Sequence, residues 1–144
     1  MNYWLKLIGS SDRPVTGEPW HGRFDETTIG FRKPGRPGIR AGDHLFLYAP
    51  GGSKRIFAAA AVVTDPEHDA NYDPSEHGSC RWKIHIRYLI NLQVESGISI
   101  DQASLPNRAL SNSVKQQSHI KLSTDEYKHI HKKLEERTAS TMRV

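Results

Sequence analysis

Residues 82–92 alternate with a period of two: Trp82, Ile84, Ile86, Tyr88, Ile90 and Leu92 fall on one side, Lys83, His85, Arg87, Leu89 and Asn91 on the other. That period belongs to a strand with one buried face, so the segment predicts the central strand of a sheet. Three further strands are predicted. Residues 3–8 are short and aromatic, and they stop at the turn formers Gly9, Ser10, Ser11 and Asp12. Residues 44–49 and 56–64 are joined by Pro50-Gly51-Gly52-Ser53-Lys54-Arg55, whose Gly-Gly centre suits a hairpin. The alanine run inside 56–64 would be helical by propensity alone. β-Branched and aromatic residues bracket it, and a hairpin partner lies just upstream, so it is read as a strand.

Between these elements the chain is broken. Pro14, Pro19, Pro34 and Pro37, with Gly17, Gly22, Gly30, Gly35 and Gly38, exclude a long helix from residues 12–42 and predict a long loop of the kind that is usually functional. A second polar loop covers 65–79. Residues 97–105 are read as a short strand or turn of helix, and 106–117 give no assignable pattern. Ser123 and Glu126 fit a capping box, and Tyr127, Ile130 and Leu134 recur at helical spacing behind it, predicting an amphipathic C-terminal helix. One domain is expected over 1–137, with 138–144 a frayed tail.

Composition narrows the chemistry. Twenty Lys and Arg against sixteen Asp and Glu leave a net charge of +4, which favours a polyanionic partner. Cys80 is the single cysteine; it excludes an intramolecular disulfide or multi-cysteine metal site, suits a reducing compartment, and is read as a small buried residue. The longest apolar run, 57–63, is too short to span a bilayer, and the first residues lack a signal-peptide pattern, so a cytoplasmic chain without membrane contact is expected. Nucleophile-elbow, P-loop, zincin and dinucleotide signatures are absent, which argues against an enzyme. His68, Asp69, Asp73, Glu76 and His77 crowd one loop, but without metal-ligand framing they read as a solvated acidic loop. His129 and His131, two apart on the helix, point to different faces. No metal or cofactor is expected.

The broken segments are chemically more informative. Trp20, Phe24 and Phe31 stand among Arg23, Arg32, Lys33, Arg36 and Arg40, while Tyr72 and Trp82 belong to the second loop and its edge. Rings and cations in this mixture suit a nucleobase with its phosphates. The plainer alternative is that the rings seal the ends of a small barrel.

The order of these pieces resembles the EVE domain of the PUA-like superfamily, related to the YTH domain. The resemblance rests on Tyr3-Trp4-Leu5 before a serine turn and on Ile29-Gly30-Phe31 before a basic stretch. It rests further on Arg40-Ala41-Gly42-Asp43 leading into the strand to Tyr48, and on Val62-Val63-Thr64-Asp65-Pro66-Glu67-His68-Asp69. The last two pieces are Arg81-Trp82-Lys83-Ile84 and Leu122-Ser123-Thr124-Asp125-Glu126-Tyr127. Independently of any family, Gly42 suits a positive φ and Asp43 suits bonding the turn backbone, a structural pair.

The resemblance implies an α+β fold, a PUA-like curved β-barrel of five to six strands flanked by short helices and the C-terminal helix. It also implies a module that binds DNA or RNA carrying a modified, flipped or unpaired base, without catalysis, as a monomer and with a separate effector protein as a possible partner. Carried over by position, Ser10, Ser11, Gly30, Phe31, Tyr72, Trp82 and Gln116 would contact the base. Trp20 would supply the ring missing where Ile29 replaces a tryptophan, and Arg32, Lys33 and Arg36 would meet phosphate. Two rival readings remain: a small-molecule, nucleotide or protein-interaction module, and a metal-dependent nuclease using the loop from His68 to His77.

Overall fold

A computed structural model of the chain describes residues 1–8, 22–51, 53–76, 79–115 and 117–142. Its strands are β1 (Tyr3–Leu7), β2 (Thr28–Phe31), β3 (His44–Ala49), β4 (Arg55–Val62), β5 (Glu67–His68), β6 (Trp82–Asn91), β7 (Ile98–Ser99) and β8 (His119–Leu122). Its helices are α1 (Ile100–Ala103), α2 (Leu110–Ser113) and α3 (Thr124–Met142). One path of hydrogen-bonded strands runs β2-β6-β4-β3-β1-β8, with β5 added to β6 and β7 to β4. Within it β1 and β3 are parallel and the other pairs antiparallel.

The fold is α+β, a strongly curled half-barrel with a C-terminal helix and a few short helices. Strand alternation sorts side chains onto its two faces. Leu45, Leu47, Ala58, Ala60, Ile84 and Ile86 fill the concave face with Ile29 and Phe31. Leu5, Phe46, Ile56 and Ala59 face outward, where Ile130 and Leu134 of α3 cover them. The alanine run belongs at the centre of the sheet because β4 is flanked on both sides by strands and covered on both faces, and small side chains let both layers approach.

The curl brings the two ends of the path together. β2 and β8 occupy opposite edges, yet the Phe31 and His119 rings meet edge to face with centroids 5.2 Å apart.

Several expectations change. The strand over 82–92 forms as β6 but lies second from an edge, with β4 and β3 at the centre. The segment over 12–42 holds β2 rather than loop throughout, and the loop over 65–79 contributes β5. Residues 97–105 contain both β7 and α1, and the unassigned 106–117 contain α2. Helix α3 continues to Met142 instead of fraying after residue 137, because no proline or glycine interrupts 124–142. Cys80 is half-buried, not fully so. Among the described residues no helix is long and apolar enough to cross a membrane.

Candidate functional site

The seam between the two edge strands is built from the first strand upward. β1 places Trp4, Lys6 and Ile8 on the concave face, since Trp4 and Ile8 pack in that core while Tyr3, Leu5 and Leu7 pack in the other. A lysine therefore occupies a position that the pattern reserves for an apolar residue. Lys6 is 7% exposed; its Nζ donates to the Leu7 carbonyl at 2.8 Å and lies 4.8 Å from the Phe31 ring centroid. Burial pulls its pKa from 10.5 to about 8, with Cys80 opposing that shift and Arg32 adding to it. Directly across the ladder from Lys6 stands His119. Burial first, then the positive charges of Lys6 and Lys33, lower the His119 pKa to about 4, so its imidazole is neutral at neutral pH.

A chain of contacts from the Gly42-Asp43 turn positions these rings. Gly42 has φ +90°. Asp43 accepts from the backbone N–H of Asn2 and Arg40, both at 3.0 Å, and from Trp4 Nε1 at 2.9 Å. Burial pushes the Asp43 carboxyl up, but these donors outweigh it and hold the pKa below the ordinary value. Trp4, fixed in this way, lies 5.6 Å from the His119 ring, and a Cβ on Gly38 would come within 3.3 Å of Trp4 Cη2. The pair is structural, as the sequence suggested, and its effect reaches the seam.

Two separate voids lie near the seam, and Phe31 lines only the larger. The larger is an open cleft of about 350 Å³ lined by Phe31, Pro34, Pro37 and Gly38, with Lys33, Arg36, Ser118 and His119 among its polar groups. The smaller, about 40 Å³, lies where the end of β1 meets β2 and is bordered by Lys6, Ile8, Phe24, Glu26, Thr28 and Gly30 among others. Gly30 is required there by packing, since a Cβ would sit 2.5 Å from Cys80 Sγ.

The sequence-predicted site residues distribute unevenly. Phe31 reaches the cleft but is 2% exposed and belongs to the concave core; it is the cleft floor, not a free stacking wall. Lys33 and Arg36 are exposed and line the cleft, and Arg36 Nη2 also donates to the Pro66 carbonyl at 3.3 Å. Arg32 is exposed beside them but does not line the cleft.

Trp82 and Tyr72 do not line either void. Trp82 packs against the concave core, and its Nε1 donates to the Pro34 carbonyl at 3.0 Å. Its ring anchors the segment that walls the cleft instead of stacking on a ligand. The Tyr72 ring lies under the Arg81 guanidinium at 4.9 Å. Ser10, Ser11, Trp20 and Gln116 lie outside the described residues, as does His77.

In the second loop Asp69 and Asp73 cap turns, accepting from the Asn71 and Ser75 N–H groups at 2.9 Å each. Among the described residues no group of three His, Cys, Asp or Glu could hold a metal. Lys6, Trp4 and His119 are the site residues that sequence reasoning missed. For Lys6 a signal existed: residues 4, 6 and 8 share one face of a strand, and two of them are apolar.

The chain matches no protein-family model and no curated protein. Several solved structures resemble it, these two among them. One is Rpa0253 from Rhodopseudomonas palustris, determined by NMR, with a TM-score of 0.54, 19% identity and 92% of each chain covered. The other is the crystal structure of protein Atu2648 from Agrobacterium tumefaciens, with a TM-score of 0.53, 14% identity and 90% of each chain covered. Both are structural-genomics targets, and at these identities what the chain shares with them is the fold.

Proposed function

We propose that this protein is a nucleic-acid-binding module that recognises a modified, flipped or unpaired base at the seam, without metal or cofactor and without converting it. The observation that carries this reading is the cleft where the two sheet edges meet, with an apolar floor, a neutral imidazole and a cationic rim. Its volume of about 350 Å³ falls among the roughly 300–1,000 Å³ of small-ligand sites. Phe31, Pro34 and Pro37 offer apolar surface to a flat ring, and neutral His119, whose Nδ1 is engaged with Ser118 Oγ at 3.2 Å, has its Nε2 left for the ring edge. Lys33 and Arg36 border the same opening and Arg32 stands beside it, so that phosphates flanking an inserted base meet positive charge. Extruding a base costs a few kcal/mol, and burying its ring in an apolar slot offsets that.

The resemblance of the sequence to the EVE domain supports the same reading. It brings with it a DNA or RNA partner, a monomeric cytoplasmic chain, and a separate effector protein acting on what the module has found. The test is a binding series with single- and double-stranded oligonucleotides, modified and unmodified at one base, at two salt concentrations. Modification-dependent affinity that falls steeply with salt is expected. Binding of free nucleosides alone, insensitive to salt, would overturn this reading in favour of a small-molecule module.

A further inference from the structure

Strand β8 brings a further cation to the seam. Ile120 and Leu122 pack in the core beneath α3, so alternation puts His119 and Lys121 together on the opposite face. His119 lines the cleft. Lys121 follows it on the same face, about 7 Å further along the strand, and is exposed. The ladder repeats this placement, because Trp4 stands across from Lys121 as Lys6 stands across from His119. The Trp4 ring in turn lies 5.6 Å from the His119 ring and packs beside Gly38, which lines the cleft from the other wall. Lys121 thus belongs to the β8 side of the opening, whereas Lys33 and Arg36 come from the segment that follows β2.

The two buried carboxylates of this region are committed to other donors. Asp43 accepts three N–H groups, one of them from Trp4. Glu126 is clamped by Arg108, which also donates to the Lys121 carbonyl at 2.9 Å. The backbone of Lys121 is therefore fixed while its side chain stays exposed.

A nucleotide within a strand carries a phosphate on each side of its sugar. When its base is seated in a cleft the two phosphates leave in different directions, and cations on one wall meet only one of them. We infer that the bound strand crosses the seam, with one phosphate of the seated nucleotide against Lys33 and Arg36 and the other against Lys121, which is a further phosphate-binding residue. The inference rests on the base-binding reading above. It adds the path of the strand and a requirement on the ligand: the recognised nucleotide is internal to a chain, with a phosphate on either side.

Fluorescence anisotropy over a salt series tests this with short labelled single strands, modified and unmodified at one central base. The same strands are also made with a neutral methylphosphonate replacing the phosphate on one side of that base or on the other. Lys121→Gln and Lys128→Gln remove the same charge, the second from an exposed position on α3. Lys121→Gln should weaken binding about three- to tenfold for every strand and reduce the slope of log K against log salt by about 1. Lys128→Gln should leave both unchanged. Each methylphosphonate should weaken binding to the intact chain; in Lys121→Gln one of the two should become silent, and in Arg36→Gln the other. Thermal melts of Lys121→Gln should match those of the intact chain, because the side chain is exposed.

An unchanged salt slope in Lys121→Gln, an equal loss in Lys128→Gln, or silencing of the same methylphosphonate by Lys121→Gln and Arg36→Gln overturns the inference; the base-binding reading stands in those cases if binding still depends on the modification. Absence of binding to every strand overturns that reading, and the inference with it.

Discussion

At the scale of single residues, the concave face is organised around one charge and the groups that tune it. Lys6 sits among Phe31, His119, Cys80 and Arg32, with Glu26 at the lip of the neighbouring hollow. Its amine titrates at about 8 in the folded protein against 10.5 as an ordinary lysine. Between those values the unfolded chain holds a proton that the folded chain has released, so stability rises with pH across that window. The full effect is on the order of 3 kcal/mol.

Urea titrations of the intact chain and Lys6→Met at pH 8 and pH 10.5 should show the intact chain gaining on the variant over this interval. A constant difference between the two would mean that the amine is solvated. The position of Lys6 was legible in the sequence, because alternation places residue 6 on the face of Trp4 and Ile8. His119 was not, since β8 has four residues, two of them polar, and no period can be read from so short a segment.

At the scale of elements, α3 is the part most fully specified by local chemistry. Ser123 Oγ accepts from the Glu126 N–H at 3.1 Å, and Glu126 Oε1 accepts from the Ser123 N–H at 2.8 Å, completing the capping box that the sequence announced. Glu126 also takes a two-pronged bond from Arg108, with both distances at 2.8 Å. Burial raises the carboxyl pKa, but Arg108 and the cap donors outweigh it and leave the pKa below the ordinary value.

Replacing Ser123 by Ala should cost about 1 kcal/mol. Leu134→Ala, at a side chain wholly buried against the outer face of the sheet, should cost about 2–5 kcal/mol. Chemical denaturation of both variants measures the difference, and equal losses would show that the helix is held mainly by its cap.

The sheet was less legible. Clean alternation in β6 reports one well-buried face, which an off-centre strand has, whereas a strand covered on both faces, as β4 is, shows a continuous apolar run. Proline and glycine bar a long helix from 12–42, but they do not bar the four residues of β2, whose pairing is settled by β6 beside it.

At the scale of the whole molecule, the net charge of +4 says only that a polyanion is the favoured partner. The placement of Lys33 and Arg36 on one opening gives that charge a direction. If each meets a phosphate, Lys33→Ala and Arg36→Ala should weaken binding about equally for every oligonucleotide. Each should also reduce the slope of log K against log salt by about 1. Anisotropy titrations over a salt series measure this; an unchanged slope in both variants would place the phosphates elsewhere.

What the sequence determined by itself is local: the strands with their facing sides, the Gly42-Asp43 turn, and the cap and apolar stripe of α3. Each follows from residues a few positions apart, whose backbone preferences and periodicity act within one element. The seam was decided only by tertiary structure. Phe31 and His119 lie on strands at opposite ends of the sheet path, and they meet because twist accumulated over six strands curls the two edges together. No local pattern encodes which edges close on one another, and so the floor of the cleft, the neutrality of His119 and the isolation of Lys6 come from the assembled sheet.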